Sequence, residues 1–189
     1  DRQALSRISK NGRQDQGVAL DVVCPNFMTL GAFIDLPEKP RTILALDGVT
    51  NPQNVGMIIR SAVAAGVDGL LYPKRGIASL GPLVIKASAG NVFRAPIIRC
   101  DSTAAAVTSL KAKGYQVATL EASAKTSLFK FKAADNVICV LGGESDGIGQ
   151  EVAALADTRL TIPMANGVES LNVAVTAALV SFHLGQTPY

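Results

Sequence analysis

Tryptophan is absent from these 189 residues, histidine occurs once and cysteine three times. The single His183 lies near the end of the last apolar segment, which argues against a Ser/His/Asp triad and against a histidine-based metal site. Cys24, Cys100 and Cys139 are far apart and odd in number. They offer neither zinc spacing nor a disulfide framework, so reduced thiols and a cytoplasmic setting are expected. No apolar run is long enough to span a bilayer without interruption, and the N-terminus has no signal-peptide pattern, so no membrane association is expected. Neither G-x-x-x-x-G-K-[ST] nor G-x-G-x-x-G occurs, which argues against a P-loop nucleotidase and a dinucleotide-binding enzyme. There is no aromatic-rich basic strand of the kind that builds an RNA-recognition sheet. Internal repeats and low-complexity tracts are also missing.

What is present is a well-buried composition, 48% hydrophobic against 17% charged, which argues for a folded chain of one domain. Net charge is only +3 but unevenly placed. Residues 1–132 hold 17 Lys/Arg against 9 Asp/Glu, whereas residues 133–189 hold Arg159 against 6 acidic residues. A basic front suits an anionic partner, although an unevenly charged solvated surface reads equally well. The chain starts Asp1-Arg2 without a methionine, which reads as a fragment or processed product with a domain upstream.

From residue 42 the chain alternates between strand-like and helix-like runs. Strands are expected at Thr42–Leu46, Gly69–Tyr72, Ala95–Arg99, Tyr115–Leu120, Asn136–Leu141 and Arg159–Ile162. Helices are expected at Asn54–Ala65, Pro82–Ala87, Ser102–Lys113, Ile148–Ala156 and Ser170–Leu184. This rhythm predicts an α/β fold, a mostly parallel sheet with helices on both faces. Residues 1–41 fall outside it and read as an arm or linker, in which Val18–Cys24 could add a strand. The final helix is apolar on nearly every side, from Val173 to Leu184, so it is expected to be buried all round. A subunit interface is the favoured cover, which predicts a homodimer; burial within one subunit is the alternative.

Three stretches collect polar residues where loops meet helix starts, the usual place for chemistry in an α/β protein. In Asp47–Arg60, Asn54 reads as an N-cap behind Pro52, and Arg60 lies off the apolar stripe one turn beyond Gly56. The missing side chain at Gly56 would leave the surface beside Arg60 open to a substrate; a plain surface arginine is the alternative. In Gly142–Gly147, Glu144 stands among glycines and can hold an arginine or a ligand hydroxyl, or simply occupy a turn. In Ile162–Asn172, Gly167 permits a sharp bend, Ser170 can cap the last helix, and Asn172 falls in its first turn, where free N–H groups point outward.

In this order, the stretches resemble the three signature motifs of the SpoU (TrmH) branch of the SPOUT RNA methyltransferases. The first is similar in Asp47, Asn51-Pro52, Asn54, Gly56, Arg60-Ser61 and Gly66, and the second in Gly142-Gly143-Glu144 and Gly147. The third is similar in Ile162-Pro163-Met164, Gly167 and Ser170–Ala174. Lys86–Gly90 with Phe93-Arg94 resembles a further family stretch. The resemblance spans about residues 42–185. It implies a catalytic domain over 42–189, an arm over 1–41 joined to an upstream RNA-binding domain, and a C-terminal trefoil knot that general connection rules would argue against.

The implied activity is S-adenosyl-L-methionine-dependent methylation of a ribose 2′-hydroxyl in structured RNA, ribosomal RNA before transfer RNA. A homodimer with the site near the subunit interface is implied, and no metal is needed. The family pattern carries catalytic positions onto Arg60, Glu144, Ser170, Asn172 and Asn54. It carries cofactor-binding positions onto Gly142, Ile162, Leu171, Leu120, Gly143 and Met164. Ser145 departs from the pattern, standing where a glycine often follows the motif glutamate. A non-catalytic RNA-binding protein that keeps the fold is the rival reading.

Overall fold

The most apolar runs of the chain pair with one another at its centre. In a computed structural model, which describes residues 1–9, 17–20, 22–24, 26–37 and 41–185, strands Arg41–Asp47 and Asn136–Gly142 lie side by side in parallel with every interior residue partnered. Runs without polar alternation are what strands covered on both faces require. In chain order the elements are α1 (Arg2–Ser9), β1 (Met28–Thr29), α2 (Leu30–Ile34), β2 (Arg41–Asp47), α3 (Pro52–Ala64), β3 (Gly69–Pro73) and α4 (Pro82–Ala87). Then follow β4 (Ile97–Cys100), α5 (Thr103–Lys111), β5 (Gln116–Leu120), β6 (Thr126–Ser127), β7 (Asn136–Gly142), α6 (Gln150–Ala153), β8 (Thr158–Thr161) and α7 (Val173–Leu184).

All eight strands form one parallel sheet in the order β1-β4-β3-β2-β7-β5-β8-β6. Helices α3, α4 and α7 cover one face, and one apolar core fills the space beneath them, with Val55, Ile58, Ile59 and Ala62 from α3 and Val173, Ala177 and Val180 from α7. The other face is covered by α2, α5 and α6, through Phe33, Ala106, Val107, Leu110 and Val152. The chain runs outward from β2 through β3 to β4, then returns to β5 on the far side of β7. Loops leaving the C-terminal ends of strands around such a reversal diverge and leave a crevice. Among the described residues, no helix is long and apolar enough to cross a membrane.

Several expectations need correction. The described residues of Val18–Cys24 carry no strand, and the edge is instead β1 at Met28–Thr29, two residues whose pairing with β4 no local pattern could announce. The polar start of the chain contains a helix, α1. Helix α6 is a single turn, Gln150–Ala153, shorter than Ile148–Ala156. Helix α3 is capped by Asn51, whose side chain accepts from the backbone N–H groups of Gln53 (2.9 Å) and Asn54 (3.4 Å), and not by Asn54. The reason is Pro52, which suits the first helical position and so sets the cap at Asn51, three residues before Asn54. Likewise α7 is capped by Asn172 and not by Ser170. Within one chain the inner face of α7 is covered, while Val175 (49% exposed) and Phe182 (45%) form an outward apolar stripe one heptad apart, so burial within one subunit, the alternative cover, does not extend to this side.

Candidate active site

Strands β5, β7 and β8 end at Leu120, Gly142 and Thr161, and their loops enclose a cavity of about 810 Å³. Its walls are apolar where the sheet ends, at Leu120, Leu141, Ile162, Leu171 and Val173, and its rim carries the carboxylates of Glu121, Glu144 and Glu169. Gly142, Gly143, Met164, Ser170 and Asn172 also line it. The structure thus gathers around one cavity all the expected cofactor-binding positions and three of the five expected catalytic ones.

The Gly142–Gly149 loop is held in one shape. Gly143 and Gly147 exchange backbone hydrogen bonds (3.2 and 3.1 Å), closing a tight hairpin whose tip is Glu144-Ser145-Asp146. A Cβ at Gly142 would lie 2.2 Å from the Gly147 carbonyl carbon, and one at Gly143 would lie 2.3 Å from the Gly48 oxygen. Both glycines are therefore required by close backbone approach. Asp47 locks the far end, accepting the Gly149 N–H at Oδ2 (2.8 Å). Ser145 is exposed at the tip and is not among the residues with positive φ, so a non-glycine residue sits there without backbone strain.

Asn172 joins the three sequence stretches. Its Oδ1 accepts the Ala174 N–H at the start of α7 (2.9 Å), and its Nδ2 donates to Glu144 Oε1 (2.8 Å) and to Asn54 Oδ1 (3.2 Å). A flipped amide would set Nδ2 against the Ala174 N–H and Oδ1 against the Glu144 carboxylate, so capping dictates which way the donor points. Asn54 is 4% exposed in the first turn of α3, aimed at α7. Glu144 is fixed through one oxygen only; its other oxygen has no partner among the described residues.

Two expected catalytic residues do not line the cavity. Asn54 stands behind it and reaches it through Asn172. Arg60 is exposed on α3, six residues further on. Gly56 does not open a surface beside Arg60: a Cβ there would lie 2.5 Å from Ala87 Cβ and 2.8 Å from the Val84 carbonyl, because α4 packs directly on that turn of α3. The bare turn is occupied by another helix, not by solvent.

Other residues at the site had a weaker signal. Asp47 ends β2 within the first stretch, where only its position in a motif marked it. Glu121 directly follows Leu120, and its carboxylate accepts from Thr119 Oγ1 (2.8 Å) with Arg159 Nε 3.7 Å away. Thr176, one turn into α7, completes the rim.

Known proteins are similar to this chain in sequence and in fold. The SpoU rRNA Methylase family profile matches residues 41–182. A Staphylococcus saprophyticus protein assigned to the TrmH family of tRNA/rRNA methyltransferases is 34% identical over 172 residues, 89% of this chain and 69% of the relative. The SpoU methyltransferase AviRb of Streptomyces viridochromogenes, solved in complex with AdoMet, superposes with a TM-score of 0.71 at 26% identity, over 82% of this chain and 62% of that one. An AdoMet-bound rRNA methyltransferase from Sinorhizobium meliloti gives 0.72 at 29% identity, over 79% and 58%. This chain therefore spans about 60% of the length of those solved relatives. A structure described for 2-OH methylation of C/U34 on tRNA gives 0.64 at 30% identity, over 76% of this chain and 93% of that one. With its parallel sheet, its paired glycine loop and a profile match that covers all three polar stretches, the chain belongs to the SpoU rRNA methylase family of RNA methyltransferases.

Proposed function

We propose that the protein transfers a methyl group from S-adenosyl-L-methionine to a ribose 2′-hydroxyl of structured RNA, ribosomal RNA in the first place and transfer RNA in the second. The observation that carries this reading is the amide of Asn172, which ties Glu144, on the rim of the cavity at the ends of β5, β7 and β8, to Asn54 behind it. The cavity suits the donor in size and chemistry. About 810 Å³ is ample for a nucleoside-sized ligand. Leu120, Ile162 and Leu171 offer an apolar berth for a base, and the rim carboxylates face a ligand that carries cationic groups. Gly142, Gly143 and Met164 complete this cradle.

When bound, the donor supplies a methyl on a sulfonium, already a strong electrophile. The protein's part is to align the acceptor oxygen and manage its proton. Alignment of two reactants reaches effective molarities of about 10⁵–10⁸ M in good cases. Glu144, held by Asn172 through one oxygen, presents the other to a hydroxyl, and Ser170 adds a hydroxyl on the rim. Arg60 is a poor general base because a guanidinium stays protonated. Its exposed place on α3 suits a different task, steadying the 2′-oxygen or a neighbouring phosphate as RNA approaches from solvent.

Val175 and Phe182 are exposed on α7, and Thr176, the residue after Val175, lines the cavity. We assign this stripe to a homodimer contact, which would place a second copy beside the site. Residues 42–189 act as the catalytic domain, with residues 1–41 as its arm and the family's trefoil knot in the C-terminal part. The working compartment is the cytoplasm.

Titration calorimetry with S-adenosyl-L-methionine tests the reading. Saturable binding that Gly143→Ala abolishes is expected, and no binding at high donor concentration would favour an RNA-binding protein that only keeps the fold. In Arg60→Lys, charge is kept but the planar fork is lost, so methyl transfer should fall at every pH. Near-parental turnover across a pH series would rule out a guanidinium-specific role.

A further inference from the structure

Beside the cavity, the link from β5 to β7 carries a second polar-aromatic feature that the donor site does not use. Lys125, Phe129, Lys130 and Lys132 lie within eight residues that contain no acidic side chain. All four are exposed, Phe129 at 53%. We infer that this segment is a contact surface for unpaired RNA, with Phe129 as a platform for a base and the lysines as phosphate contacts. The inference rests on the reading of the chain as an RNA methyltransferase and adds where on the protein the substrate strand runs.

The platform is built rather than incidental. Leu128, fully buried, and Phe131, partly buried in the core beneath α7, anchor the backbone on either side of Phe129. The Ser127 hydroxyl caps the short 3₁₀ turn Leu128–Lys130 by accepting the Phe129 N–H (3.3 Å). Strand β6 fixes the segment to the sheet edge, with Thr126 opposite Leu160 and Ser127 opposite Thr161. Phe129 meets the edge of the His183 ring system at 6.1 Å and 88°, which sets its tilt while leaving half its surface to solvent. An aromatic ring held still costs little entropy on binding, and base–aromatic stacking is tolerant of sequence.

Charge separates RNA from a second protein copy as the occupant. Among the described residues, Lys125, Lys130 and Lys132 enter no ion pair, so the local positive charge is unneutralised. Lysine is depleted from protein–protein interfaces, whereas unpaired lysines around an exposed ring are the make-up of single-strand binding surfaces. The place also fits the chemistry. Ala122 and Thr161, which border the segment, line the donor cavity, and Thr161 Oγ1 donates to the Ala122 carbonyl (3.3 Å). A strand lying over Phe129 would therefore pass the cavity wall.

The test uses the full chain, a short fluorescent single-stranded RNA of mixed sequence, and three variants: Phe129→Ala, Phe129→Tyr, and Lys125→Gln/Lys130→Gln/Lys132→Gln combined. Anisotropy should show about a 10-fold weaker affinity for Phe129→Ala and near-parental affinity for Phe129→Tyr, which retains stacking. The triple variant should reduce the slope of log affinity against log salt by about 2, on the order of 0.7 per lost phosphate contact. Donor affinity by calorimetry and mass by light scattering should not change. Parental RNA affinity in both Phe129→Ala and the triple variant, with donor binding intact, would overturn this inference alone. A change of oligomeric state in Phe129→Ala without loss of RNA affinity would overturn it too, and would assign the face to a second copy. Phe129-dependent RNA binding by a chain that takes up no S-adenosyl-L-methionine would uphold the surface and remove the methyltransferase reading.

Discussion

At the scale of single residues, the amide of Asn172 both caps a helix and presents a donor, and substitution can separate the two. Asn172→Asp keeps an N-cap acceptor, so helix stability should hold. It also sets a carboxylate against Glu144, replacing a 2.8 Å hydrogen bond with like-charge repulsion. Methyl transfer should then fall by an order of magnitude or more with a small change in melting temperature, whereas Asn172→Ala should lose both activity and about 1 kcal/mol of stability. Parallel melting curves and turnover assays would check the split. Ser181 offers the opposite case. Its hydroxyl is 1% exposed on the inner face of α7 and has no partner among the described residues. Ser181→Ala removes that unmet group, and a gain of about 1 kcal/mol, or roughly 2–4 °C in melting temperature, is expected from differential scanning calorimetry.

At the scale of elements, α7 divides its sides between core and solvent, and the outward side carries the proposed dimer contact. Phe182→Glu should leave the monomer folded, because Phe182 is half exposed, yet shift light-scattering mass towards the monomer. The C-terminal end of α5 is tied down differently. Lys111 Nζ donates to Asp157 Oδ1 (2.7 Å) and the Leu155 carbonyl (2.7 Å), while Asp157 Oδ2 accepts the Val117 N–H (2.8 Å). The hydrogen bond from the Lys111 ammonium, and then that from Val117, hold the Asp157 carboxyl below the ordinary carboxylate range. A depressed folded-state value means stability that is present above the unfolded value, about pH 4, and lost as pH falls through the folded one. Denaturant titrations of Asp157→Asn should therefore show a deficit against the parent at pH 7 that shrinks on acidification below about pH 4. A deficit independent of pH would show that the carboxylate's charge contributes nothing.

At the scale of the whole molecule, what was legible in the sequence followed from how much of each signal is local. Strands β2 and β7 could be read because central parallel strands are apolar on both faces, and their short runs match strand length better than helix length. Strands β1 and β6 could not, since each is two residues long and exists only through its neighbour. The loops of the site were legible as clusters of Gly, Pro and Asn at strand ends. Which side chains meet was not: Asn172 and Asn54 are 118 residues apart, and no spacing rule brings them together. The same limit explains Gly56, where an absent side chain signals equally an open surface or a packed one, and only the position of α4 decides.

On the whole molecule, one assay asks directly whether the cavity beside Asn172 serves methyl transfer to ribose oxygen. The protein would be incubated with S-adenosyl-L-methionine carrying a labelled methyl group and with RNA extracted from cells lacking its gene. The RNA would then be hydrolysed with alkali and the products separated. Label is expected in alkali-resistant dinucleotides, the signature of a blocked 2′-oxygen, with little label from Asn172→Ala. Label released on a base, or equal incorporation by the Asn172→Ala protein, would contradict it.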